Sequence, residues 1–67
     1  MEKVFLTQPE AAEVLRISPR TLERMRVDST GPRFRKFGRR VAYAVEDIQA
    51  WADSRVFTST SEIDAAA

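Results

Sequence analysis

Two helix starts stand eleven residues apart near the beginning of the chain, and their spacing leaves little freedom of fold. In "TQPEAAEVL", Thr7 is a capping side chain and Pro9 falls in the first turn, where its missing N–H costs nothing. Glu10 stands three residues after Thr7, the spacing of a capping box. The second start is "SPRTL": Ser18 caps, and Pro19 takes the first helical position with its φ already set. Only Arg16, Ile17 and Ser18 separate the two helices, so the chain must turn a tight corner between them.

Periodicity shows which faces meet. At about 100° per residue, Ala11, Ala12 and Leu15 share one side of the first helix with Val14 flanking, while Glu10 and Glu13 point away. Two alanines on the inward face permit close approach by another helix. A second helix from Pro19 to about Val27 puts Leu22 and Met25 inside and Arg26 at the margin. Arg20 and Arg24 lie one turn apart on the opposite side with Glu23 close by; the plainer reading makes them ordinary surface residues, Arg24 partly neutralised by Glu23. Two short helices joined this way form the helix-turn-helix pattern.

"DSTGP", Asp28 to Pro32, is turn-forming and ends the second helix. In "RFRKFGRRVAY", two short segments rich in aromatic and β-branched residues flank Gly38, which can supply the positive φ of a tight hairpin. Val41, Tyr43 and Val45 alternate. Phe34 and Phe37 differ in parity, which predicts either a bulge or a strand that ends early. A third helix follows from about Val45 to Arg55, with Val45, Ile48, Trp51 and Ala52 as its apolar stripe. Glu46, Asp47, Gln49, Asp53 and Ser54 are expected to face water. From Phe57 onward Ser, Thr and Ala predominate and periodicity disappears. The chain therefore divides into a domain over residues 1–55 and a polar, flexible tail over 56–67.

Composition excludes more than it assigns. With 67 residues the chain holds a single domain, and a domain this small has a thin margin of stability. It has neither cysteine nor histidine, so disulfides, thiolate metal sites, thiol nucleophiles and the commonest general base are all missing. Neither an enzyme nor a cofactor or metal is expected. No apolar run approaches a membrane span and no signal-peptide pattern opens the chain, which makes a cytoplasmic location the expectation.

The net charge of +1 conceals a polarised chain. Arg16 to Arg40 holds nine basic residues and two acids, a local charge of +7, while the remainder has two basic residues and eight acids, −6. One face built for a polyanion is the natural reading. In a helix-turn-helix the second helix enters the DNA major groove with its N-terminal residues against base edges. Ser18, Arg20, Thr21 and Arg24 occupy those positions: arginine pairs bidentately with guanine, and a threonine methyl can meet the thymine methyl. The hairpin adds Arg33, Arg35, Lys36, Arg39 and Arg40 for phosphates or a neighbouring minor groove. Arg26 either touches a phosphate or packs its stem against the core. Arg16 either meets the backbone or caps the first helix. Phe34, Phe37, Tyr43 and Trp51 are read as core rather than as a base-stacking surface.

Together, "LTQPEAAEVLRISPRTLERMR", "GPRFRKFGRRVAY" and "VEDIQAW" resemble the excisionase and MerR-type winged helix-turn-helix family, over about Phe5 to Ser54. The family includes small phage excisionases (recombination directionality factors) and AlpA-like prophage regulators. The resemblance implies a mainly α fold with a β-hairpin wing, and double-stranded DNA as partner in a bacterial cell. It matches Ser18, Arg20, Thr21 and Arg24 to the groove-facing helix and Arg39 and Arg40 to the wing tip. MerR-type regulators continue into a dimerisation helix, whereas only a short polar tail follows Arg55 here, so the stand-alone members fit better. Such excisionases bind adjacent sites side by side, bend DNA and bias a phage integrase towards excision. Head-to-tail self-association and an integrase partner are therefore expected. The alternatives are an AlpA-type transcriptional regulator and, from another class, a protein-interaction module on the same scaffold.

Overall fold

The computed structural model describes residues 4–60. The element order is β1 (Phe5–Thr7), α1 (Gln8–Leu15), α2 (Pro19–Asp28), β2 (Arg35–Phe37), β3 (Arg40–Ala44) and α3 (Val45–Asp53). This is a winged helix-turn-helix: three helices and a small antiparallel sheet of order β1-β3-β2.

Both expected helix starts are built. The Thr7 hydroxyl accepts from the Glu10 N–H at 3.3 Å, and the Glu10 carboxylate accepts from the Thr7 N–H at 2.8 Å, closing the capping box. Ser18 caps α2 by accepting from the Thr21 N–H at 3.0 Å. Each helix then ends by the same device. Arg16 and Ser29 take left-handed conformations with φ of 59° and 60°. The Ile17 N–H reaches back to the Ala12 carbonyl at 3.0 Å and the Thr30 N–H to that of Met25 at 2.9 Å, the long bonds of Schellman ends. Neither position is glycine, so each carries a small backbone strain that these bonds offset.

The small residues of α1 make it the hub. Ala11 and Ala12 are fully buried and let α1 pack against α2, α3, β1 and β3. With Leu22, Tyr43 and Ile48 they form the core, flanked by Leu6, Leu15, Ile17 and Val41.

Four expectations need correction. The sheet has three strands rather than two: β1 pairs with β3 through Phe5↔Ala44, Leu6↔Tyr43 and Thr7↔Ala42. The first N–H of α3, on Val45, also donates to the Val4 carbonyl at 3.0 Å, so the N-terminal segment ties the wing to the third helix. Second, α3 ends at Asp53, and Ala52 is exposed rather than part of the stripe. Third, Asp47 does not face water; it holds Arg35 at 2.6 Å.

Fourth, of the four aromatics expected in the core only Tyr43 is there. Phe34 and Phe37 are 39% and 54% exposed, and Trp51 is half-buried, donating from Nε1 to the Thr30 carbonyl at 3.2 Å. The parity conflict is solved by a short strand, not a bulge. β2 begins after Phe34, and its pairing with β3 runs without interruption from Arg35↔Ala42 to Phe37↔Arg40. Phe34 leans on Tyr43 at 6.3 Å, while Phe37 meets Phe5 edge-on at 5.5 Å on the outer face.

Candidate nucleic-acid interface

The site begins with the outward row of α2. Arg20, Glu23, Arg24 and Val27 recur at helical spacing, and together with Arg26 they line one shallow groove. Arg20 and Arg24 are exposed, and among the described residues neither forms an ion pair or hydrogen bond within the protein. The Glu23 carboxylate, expected beside Arg24, instead lies 3.8 Å from the Arg26 guanidinium. Both candidate base-reading arginines are thus left available. Ser18 and Thr21 sit at the head of the same helix with their hydroxyls 2.8 Å apart. This bond joins the helix cap, so Thr21 presents its methyl more freely than its hydroxyl.

The other cations divide into two groups. Arg16, Arg33, Lys36, Arg39 and Arg40 are exposed, and none has an ion pair among the described residues. Arg16 caps α1 through its backbone N–H, which leaves the side chain to solvent. Gly38 and Arg39 form the two-residue hairpin tip, with Gly38 at φ 66° as the turn requires. Arg33 shares a depression with Arg26 and Phe34, next to the α2 groove that Arg26 also lines.

Arg26 and Arg35 behave differently, because the fold itself uses them. Arg35 reaches from β2 to Asp47 on α3, and its guanidinium lies 5.7 Å from the Phe5 ring centroid. Arg26 is moored on three sides: 5.7 Å over Phe34, 3.8 Å from Glu23, and 3.5 Å from the Gln8 side-chain oxygen, to which it donates. Its Nε and the Tyr43 hydroxyl are both buried without a well-formed hydrogen bond. Burial pushes the Tyr43 phenol up from its usual 10.0, against the opposing pull of the nearby Arg26 charge. The Arg26 side chain is thus partly buried against Phe34 and Gln8.

Two contributors escaped the sequence reading. Gln8, in the first turn of α1, donates to the Pro19 carbonyl at 3.2 Å while accepting from Arg26, and so straps the start of α1 to both ends of α2. Its only signal was a polar residue at a helix start. Val27, 72% exposed on the arginine face, was read merely as the helix end. No group of three or more metal-ligating side chains comes together among the described residues.

The site thus sits on two capped helices joined by a tight turn, with β1 and β3 of the sheet packed on the first. Residues 5–56 match the family model described as a helix-turn-helix domain. The chain belongs to that family. No curated protein matches it. Helix-turn-helix domains of this family include excisionase-like and AlpA-like small DNA-binding proteins and are typically not enzymes. Among the described residues, no helix of this helix-turn-helix domain is long and apolar enough to cross a membrane.

Proposed function

We propose that this protein binds duplex DNA with sequence preference and serves as a phage excisionase, a recombination directionality factor that steers an integrase towards excision. One observation carries the reading: the cations split into two that the fold consumes and a larger set, on and around α2 and the wing, with no ion pair among the described residues. Ser18, Arg20, Thr21 and Arg24 face base edges. Arg16, Arg33, Lys36, Arg39 and Arg40 take phosphates, and Arg26 and Arg35 become scaffold. Phosphate contacts supply affinity and register; the helix supplies preference.

Residues 1–55 act as the DNA-binding unit. A domain of this size makes few contacts, and single modules gain specificity by binding adjacent sites together. The acidic flank of α3, with Asp53 exposed, offers a surface for the basic wing of a neighbouring copy. Band-shift titration on a multi-site fragment tests this, and independent filling of every site would reject it. The decisive assay is integrase-mediated excision in vitro with the cognate attachment sites. Stimulation of excision supports the proposal; duplex binding with no effect on excision, but repression of a nearby promoter, would give the protein to the AlpA-type regulators.

A further inference from the structure

We propose that the outer face of the sheet is a docking surface for the chain's own C-terminal segment. Ile63 is seated against Phe5 and Phe37, and the carboxylates of Glu62 and Asp64 lie towards the cations of the hairpin. This docking does not depend on the protein binding DNA.

Strand alternation separates the two faces of the sheet. Tyr43 of β3 belongs to the core, so Arg40, Ala42 and Ala44 take the outer side, joined through the pairing register by Phe5, Arg35 and Phe37. The Phe5 and Phe37 rings meet edge-on across β3, whose alanines leave room for them. With Thr7, Val41 and Ala42 they line a shallow cavity of about 260 Å³, in which Arg40 is the one cation. Val4, next to Phe5 in the chain, is 59% exposed. Single exposed apolar side chains are ordinary; a contiguous group of them around a cavity marks a surface that is covered in use.

The C-terminal segment carries a matching group. After Phe57 the sequence reads "TSTSEIDAAA", in which Ile63 is the one large apolar side chain and Glu62 and Asp64 stand on either side of it. An aliphatic anchor bracketed by two carboxylates complements an apolar cavity edged by Arg40, with Arg39 next to it at the hairpin tip. Charges this close to a seated Ile63 fall inside the Debye length of about 8 Å, so their attraction is little screened. One aliphatic side chain is too little to hold two separate molecules together. It suffices within one chain, because the tether keeps the segment at about millimolar effective concentration.

Geometry also brings the segment to this face. Asp47 and Trp51, four residues apart, share one side of α3. Asp47 holds Arg35, whose guanidinium lies 5.7 Å from the Phe5 ring centroid, so that side of α3 adjoins the outer face of the sheet. The Arg55 guanidinium lies 5.8 Å from the Trp51 ring and 5.7 Å from the Phe57 ring, so the chain leaves α3 on the same side. The six residues from Phe57 to Ile63 reach about 20 Å when extended, whereas α3, with nine residues, is only about 14 Å long. Once seated, the segment sets two negative charges against the hairpin cations and competes with any polyanion for them.

The test is methyl NMR of the full chain labelled at isoleucine, with Ile63 assigned through Ile63→Val. The Ile63 methyl resonances should lie upfield of their position in an unfolded peptide, show cross-relaxation to the Phe5 and Phe37 ring protons, and stay unchanged on dilution. Phe37→Ala, with a thermal melt as the folding control, should abolish both signatures. Replacing Glu62→Gln and Asp64→Asn together should lower the docked-to-free ratio about two- to fivefold, the effect of a surface charge pair. Ile63 methyls at the unfolded position in the wild-type chain overturn the proposal without need of a variant. So does an upfield shift that survives Phe37→Ala or ignores the loss of both acids. Contacts that fade on dilution give the face to a second copy and overturn docking within the chain. No arm uses DNA, so failure here leaves the DNA-binding reading standing, and failure of that reading leaves this one.

Discussion

Arg35→Ala and Arg39→Ala remove the same charge from positions four residues apart in one hairpin, yet they should have opposite consequences. Of the nine basic residues between Arg16 and Arg40, Arg26 and Arg35 are held by Glu23 and Asp47, leaving seven. Assigning Arg20 and Arg24 to bases leaves five for phosphates, and at about 0.9 per contact the slope of log affinity against log salt should be about −4.5. Raising salt from about 50 to 200 mM should then weaken binding about 500-fold. Arg39→Ala should flatten the slope by about 0.9 and leave stability unchanged. Arg35→Ala should leave the slope alone but cost about 1–2 kcal/mol, because a partly exposed, hydrogen-bonded ion pair and its contact with Phe5 are lost. For a domain this small, that is a fall in Tm of about 4–8 °C per kcal/mol. Fluorescence-anisotropy titrations across salt concentrations, paired with thermal melts, read both quantities. A wild-type slope near zero, or an Arg35→Ala variant that flattens it as Arg39→Ala does, would refute the division of the cations.

Three further outcomes follow from the packing and the caps. Leu22→Ala removes a fully buried side chain and should cost about 2–5 kcal/mol, enough to unfold much of the population, whereas Trp51→Phe, which loses the bond to Thr30 and part of a half-buried ring, should cost about 1–2 kcal/mol by chemical denaturation. Hydrogen bonds from Thr7 hold the Glu10 carboxyl below its ordinary 4.5, so its contribution is present above that pH and is lost as pH falls through the lowered value. Glu10→Gln keeps an acceptor for the Thr7 N–H but cannot titrate, and should flatten the acid limb of a Tm-against-pH curve. At Gly31 an added Cβ would lie 2.9 Å from the Met25 Cβ, so Gly31→Ala should destabilise by about 1–3 kcal/mol through overpacking. Gly38→Ala meets no atom within 4 Å and should lose only about 1 kcal/mol, the backbone strain of φ 66°. Melting curves of the two glycine variants separate a steric cost from a conformational one.

Local chemistry made the helices legible. The capping box at Thr7 and Glu10, the Ser18-Pro19 start and the glycine of the hairpin each act within a few residues of chain, so reading along the sequence finds them. The outward placing of the α2 arginines was equally plain, because helical spacing alone puts Arg20 and Arg24 opposite Leu22. What spacing missed was long-range. β1 is three residues long and merges into α1, and its partner Ala44 lies far along the chain from Phe5, so no local pattern announces it. The aromatics misled for a related reason: with α1 drawn in by two alanines, the core is filled by Leu22, Tyr43 and Ile48, and Phe34 and Phe37 are displaced to the rim.

The sequence by itself settled where helices begin, which of their faces are apolar, and how many cations cluster between Arg16 and Arg40, since those properties depend on neighbours within one turn. Only the tertiary structure decided which of those cations remain available. Arg35 and Asp47 meet across two elements, and Arg26 meets Gln8 across two helices. A charge is identical in sequence whether it faces solvent or a carboxylate; the packing of distant segments determines which it meets.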